Sequence, residues 1–229
     1  MNTWVKVARY TLANQANYLV LPWILPVSFA VAAVTTGRGP GRGHEAAGYL
    51  LSFFIYFAGQ GMLTVGRWLP FALTLGASRR SFYAGTALFG MALALVSGLV
   101  LTVLQAIERV TGGWGLSLHF FRVPYLLNGP WYATWLTSAV GLFALFVYGM
   151  WYGIVHSRWG QLGTLAFIAV QALVVVAGVV VVTFEHWHFW SAAGGSFAGL
   201  TALGLTGVIA ALAVLLLAGG HATIRRVTV

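Results

Sequence analysis

Six stretches of this chain, from 21 to 39 residues long, contain no Lys, Arg, Asp or Glu. They lie between Arg9 and Arg38, Glu45 and Arg67, Arg80 and Glu108, Arg122 and Arg158, Arg158 and Glu185, and Glu185 and Arg225. A hydrocarbon core about 30 Å thick takes roughly 20 apolar residues at about 1.5 Å rise each. Each stretch is long enough to cross it. The uncharged runs 68–78 and 110–121 are too short. Only 7% of the residues are charged, against about 25% in a soluble domain. So few charges could not cover a water-soluble surface of this size. Disorder is excluded by the 60% hydrophobic content, and a disulfide scaffold by the absence of Cys.

The expectation is an all-α integral membrane protein in a single domain over 1–229. Its six transmembrane helices fall near 18–36, 46–65, 81–106, 131–155, 161–183 and 197–217. A barrel would need short alternating strands, whereas 173–182 reads LVVVAGVVVV without alternation. In lipid the backbone must satisfy itself, which outweighs the weak helix propensity of valine. The first 17 residues mix Lys6, Arg9, Asn14 and Asn17 with Trp4, Val7, Ala8 and Leu12. That is no cleavable signal. It reads as an N-terminal interfacial helix over about 3–16.

Charge sets the expected orientation. Lys6, Arg9, Arg67, Arg79, Arg80, Arg158, Arg225 and Arg226 fall on one side of a six-span layout, against Arg38, Arg42, Arg109 and Arg122 on the other. The positive-inside rule then puts both termini in the cytoplasm of a multi-pass protein. The net charge of +9 is spread over short segments, so no nucleic-acid partner is expected. Membrane lipids are.

Absences narrow the chemistry. The single lysine is Lys6, between Val5 and Val7, and there is no Asp. A phosphate-binding G-x-x-x-x-G-K-[ST] loop and its magnesium-holding Asp cannot be built. Glu45, Glu108 and Glu185 stand at the ends of uncharged runs, and His44, His119, His156, His186, His188 and His221 lie at or beyond span ends. A proton relay inside the bundle is not expected. Glu185-His186-Trp187-His188 is the densest polar cluster. Positions i and i+2 diverge on a helix, and Trp187, Phe189 and Trp190 read as an aromatic belt rather than a metal site. No nucleophile elbow occurs, so no catalytic residues, bound metal or cofactor are expected in this chain.

Gln60, Gln105 and Gln171 are the amides inside the spans. They serve either as a translocation path or as helix–helix glue. Gly195, Gly199, Gly204 and Gly207 offer a surface for close helix approach.

Between the second and third spans, 66–85 reads GRWLPFALTLGASRRSFYAG. Pro70 suits a first helical turn, Gly76 a helix end and Ser78 a new N-cap. A short coupling segment over about 68–80, with Arg79 and Arg80 at its bend, is the expectation. It is either a cytosolic docking knob or an ordinary loop with positive-inside arginines.

The run Phe71-Ala-Leu-Thr-Leu-Gly-Ala-Ser-Arg-Arg-Ser-Phe-Tyr-Ala-Gly-Thr-Ala-Leu88 resembles the coupling-helix region of small six-span ABC transporter permeases of the type-two export class. The segment Glu108-Arg-Val-Thr-Gly-Gly-Trp-Gly-Leu-Ser-Leu-His-Phe-Phe is similar to an external loop of related actinobacterial permeases. The resemblance implies a bacterial inner-membrane permease that pairs with a second permease, as a homodimer or heterodimer. Each copy would dock on a separate cytosolic ABC ATPase, which binds the ATP and Mg. It implies that Leu75, Gly76, Ala77, Ser78, Arg79, Arg80, Ser81 and Phe82 contact that ATPase, and that 6–10 begins a connecting helix. One departure stands out: larger members carry an extended external hairpin between spans five and six, where only about 184–196 is available here. The function so implied is ATP-driven export of an amphipathic or hydrophobic cargo, such as a drug, peptide or lipid. A membrane scaffold or sensor subunit and a lipid-modifying enzyme share the same composition.

Overall fold

The computed structural model describes residues 23, 24, 27, 44–74, 76–112, 130–184 and 202–224. Four helices result: α1 (His44–Thr74), α2 (Arg79–Val110), α3 (Trp131–Phe184) and α4 (Ala202–Ile224). Among the described residues there is no strand. Three helical stretches, Arg79–Val110, Trp131–Gly178 and Leu203–Ile224, are long and apolar enough to cross a membrane.

α3 is not one rod. Gly160 breaks it with φ 64° and ψ −156°, a conformation open essentially to glycine alone. The Tyr148 hydroxyl donates to Gln171 Oε1 at 2.7 Å across 23 residues. A straight helix would hold those residues about 35 Å apart. Tyr152 meets Phe167 with ring centroids 5.0 Å apart, and His156 Nδ1 lies 3.2 Å from Thr164 Oγ1. The limbs 131–159 and 161–184 therefore fold back on each other about Gly160. Each exceeds the roughly 20 residues of a bilayer crossing.

The first limb of α3 is the axis of the bundle. α1 runs parallel to it in near backbone contact. A Cβ on Gly61 would stand 2.0 Å from the Phe146 carbonyl oxygen, and one on Gly153 2.8 Å from that of Met62. α2 runs antiparallel. Gly90 abuts the Phe146 ring, Gly98 abuts Ala139, and the Trp135 indole donates to the Leu95 carbonyl at 3.1 Å. α4 is parallel again, held by Thr137 and Thr206 hydroxyls 2.7 Å apart and by the Trp151 indole on the Leu216 carbonyl at 2.8 Å. Phe146 sits where these contacts meet. It is fully buried with Phe57, Leu142, Met150, Ile154 and Leu69. Of the glycines expected to allow close helix approach, Gly207 has nothing within 4 Å of where a Cβ would stand, and Gly195 and Gly199 lie outside the described residues.

The outer surface is apolar. Leu162 is 81% exposed and Leu173 70%, Val174, Val175 and Val176 are exposed along the same limb, and Leu212 and Leu215 are exposed on α4. Water would not tolerate so large a patch, and lipid does.

The helix bounds shift against expectation. α1 continues to Thr74 with Pro70 inside it, so 68–74 are its last turns and not a separate coupling helix. Pro70 is exposed while Leu69 is fully buried and Ala72 nearly so. Burying Leu69 gains about 1.5–3 kcal/mol, comparable to the roughly 3 kcal/mol of an interior proline. α4 runs on to Ile224, beyond the expected end at 217, while 197–201 lie outside the described residues. Of the first expected span only Trp23, Ile24 and Val27 are described; all three are helical, and the Trp23 ring centroid is 4.9 Å from that of Phe53. The interfacial helix over 3–16 lies outside the described residues, as do Glu185, His186 and His188.

Candidate functional site

The corner between α1 and α2 is built from backbone caps. The Ala77 N–H donates to the Ala72 carbonyl and the Gly76 N–H to that of Leu73, both at 3.0 Å. This double bond pattern closes a helix end and takes up its orphan carbonyls. It requires a left-handed residue, and Gly76 has φ 78°. Ser78 then caps α2, its Oγ accepting from the Ser81 N–H at 3.1 Å. The Ser78 and Ser81 hydroxyls also bond to each other.

The corner is tied to the core by Phe82 and Tyr83. Phe82 is 2% exposed, and the buried Tyr83 donates its hydroxyl to the Leu217 carbonyl of α4 at 3.0 Å. A push on 76–81 therefore meets packed aromatic side chains rather than a slack loop. Leu75 lies outside the described residues. Arg79 is half-buried and Arg80 exposed, in the first turn of α2. A helix N-terminus carries partial positive charge, so fold stability alone does not favour two cations there.

Several segments gather at this end of the bundle. The last turns of α1, the Gly160 bend and the last turns of α4 all reach it, as the Val65–Gly153, Gly219–Trp151 and Gly220–Tyr83 approaches require. Arg67 and Arg158 join Arg79 and Arg80 there, with the Arg158 guanidinium 4.6 Å from the centre of the Trp159 ring. Glu45 at the start of α1 and Glu108 at the end of α2 mark the opposite end.

The three span amides do not converge. Gln60 is buried on α1, level with Phe146 through its neighbour Gly61. Gly90 abuts Phe146 too, so Gln105, further along α2, stands about 22 Å away along the axis. Gln171 takes the hydroxyls of both Tyr148 and Tyr152 inside the α3 hairpin.

Sequence reasoning missed a buried polar seam. Ser97, Thr102, Gln105 and Glu108 on α2 are all less than 9% exposed, as are Thr134 and Thr137 on α3 and Thr206 on α4. The signal was present: 97, 102, 105 and 108 recur on one helical face. Glu108 looks terminal when counted as the end of an uncharged run, yet it is 2% exposed.

No protein family, curated protein or solved structure matches the chain.

Proposed function

We propose that this chain is the membrane-spanning permease subunit of an ATP-driven exporter, in line with the resemblance of 71–88 to type-two ABC export permeases. The observation that carries the reading is the capped corner at 76–82. It is rigid, it presents Arg79 and Arg80 at the cationic end of the bundle, and it is anchored in the core through Phe82. Such a corner suits the transmission of force from a soluble partner into packed helices.

In this reading the two α3 limbs are separate spans. With α1, α2, α4 and the stretch at 18–36 they make six. The cationic end faces the cytoplasm of a bacterial inner membrane, and so do both termini. ATP and Mg belong to the partner ATPase, and a second permease completes the pair. Closure of the ATPase on the corner rocks the permeases between inward and outward access. The cargo class is amphipathic or hydrophobic, in keeping with a bundle whose described spans hold few charges.

Affinity purification of the full chain from its native membrane tests the reading. The expected result is a stoichiometric soluble ATPase in the eluate. Recovery of the chain without any nucleotide-hydrolysing companion, together with absence of ATP-dependent flux, counts against it.

A further inference from the structure

The two limbs of α3 close on each other near Gly160 and stand apart further from it. Going out from the bend, His156 meets Thr164, Tyr152 meets Phe167, and Tyr148 meets Gln171. Gly141 lies two turns past Tyr148 on the same helical face, and Gly178 two turns past Gln171 on its own. A Cβ on either glycine would meet nothing within 4 Å. Val174, one turn past Gln171, is 64% exposed. The limbs therefore leave a crevice between them, open away from the bend, with Tyr148 and Gln171 as its floor.

That floor is polar and holds a spare donor. Gln171 Oε1 accepts from the hydroxyls of both Tyr148 and Tyr152. Both phenol protons are thereby placed, and the two N–H groups of Gln171 Nε2 are the donors still to be met. Among the described residues Nε2 has no acceptor, and it is not sealed off from its surroundings as the buried Thr86 Oγ1 is. Tyr148, Tyr152 and Gln171 are all half-buried.

Depth decides what can meet those donors. Both limbs belong to the stretch Trp131–Gly178, which is long and apolar enough to cross a membrane. The bend carries exposed Arg158 and Trp159, the guanidinium over the indole, a pairing suited to the membrane surface. Tyr148 stands twelve residues before Gly160 and Gln171 eleven after it, about 16 to 18 Å from the bend. That is close to the middle of a hydrocarbon core about 30 Å thick. Phospholipid ester carbonyls lie at the edges of that core, about 15 Å away. An amide donor left unmet in hydrocarbon is costly.

We propose that the crevice binds an apolar molecule that carries a carbonyl oxygen to mid-membrane depth, of the lipid-soluble quinone kind. A ring carbonyl accepts from Gln171 Nε2, the ring lies against Tyr148, and the tail leaves past Gly141 and Gly178. A flat ring pairs favourably with an aromatic side chain beyond the area it buries. The few polar groups fix the orientation, and the apolar walls supply the rest. The site does not depend on the chain exporting anything.

The test uses the full-length protein in phospholipid nanodiscs, with decylnaphthoquinone as the probe. Decylnaphthalene, which has the same body and no carbonyl, is the control. Saturable binding is read above partition into empty nanodiscs. Wild type is expected to hold the quinone about tenfold more tightly than the hydrocarbon, as one well-made hydrogen bond does. The combined variant Tyr148→Phe, Tyr152→Phe, Gln171→Leu removes donors and acceptor together and keeps both rings. It is expected to bind the two probes alike. Gly141→Leu with Gly178→Leu fills the crevice with better helix formers and keeps the amide. It is expected to lose quinone binding about tenfold or more while the thermal midpoint is maintained. Equal affinity of wild type for the two probes would overturn the site. So would a tenfold preference surviving in the triple variant, or wild-type quinone affinity in the filled one.

Discussion

The Cβ that Gly149 lacks would stand 1.8 Å from the carbonyl oxygen of Ala58. That gap sets how closely α1 lies on α3, and a backbone carbonyl cannot rotate away as a side chain can. Gly149→Ala is expected to force the helices apart. The cost is at or above the upper end of the about 1–3 kcal/mol typical of overpacking. Gly141→Ala is the control, since a Cβ there meets nothing within 4 Å and alanine is the better helix former. Thermal unfolding of the purified protein should show a large drop for the first and none for the second.

Gly160 carries the hairpin of α3. Its φ of 64° with ψ of −156° strains any side chain. Gly160→Ala is expected to lose about 1–3 kcal/mol. Denaturation in mixed micelles checks this, and an unchanged stability would contradict the fold-back.

Gln171 accepts from Tyr148 and Tyr152 between the two limbs. Gln171→Leu leaves both hydroxyls without this acceptor, at about 1–3 kcal/mol for the pair. The triple variant Tyr148→Phe, Tyr152→Phe, Gln171→Leu removes donors and acceptor together. It is expected to recover most of that loss, because the cost lies in unsatisfied polar groups rather than in lost contacts. A triple variant as unstable as the single one would mean that Gln171 acts otherwise.

The fold was partly legible in the residues. Counting uncharged runs located α2 and both limbs of α3, because lipid demands length and apolarity before anything else. The two limbs of α3 match the two apolar runs that Arg158 separates, while Gly160 as the point of the break comes from the structure. Pro70 misled, since its local preference for a first turn lost to the burial of Leu69 beside it. Local capping at Gly76 and Ser78 was readable because caps depend on neighbours in sequence. The packing glycines 61, 149 and 153 were not, since nothing in one helix tells which glycine its partner will approach. For the same reason Glu108 read as an end of a span, although packing buries it.

The arrangement of ends is directly testable, because the chain contains no cysteine. Arg80→Cys and Trp159→Cys stand at one end of the bundle and Trp131→Cys at the other. A membrane-impermeant thiol reagent added to intact cells should label Trp131→Cys alone, and inside-out vesicles should label the other two. Labelling of all three from one side would contradict a membrane-spanning bundle with this orientation.

Under the proposed function, work reaches this chain through the corner at 76–82. The most direct measurement is ATP-driven efflux in vesicles holding the chain and its co-purified ATPase, with Arg79→Glu and Arg80→Glu combined. The variant is expected to insert and to unfold at the wild-type temperature, yet to fail to hold the ATPase and to show no ATP-dependent flux. Wild-type flux and ATPase recovery by that variant, or uphill flux by the chain with no ATPase present, would contradict it.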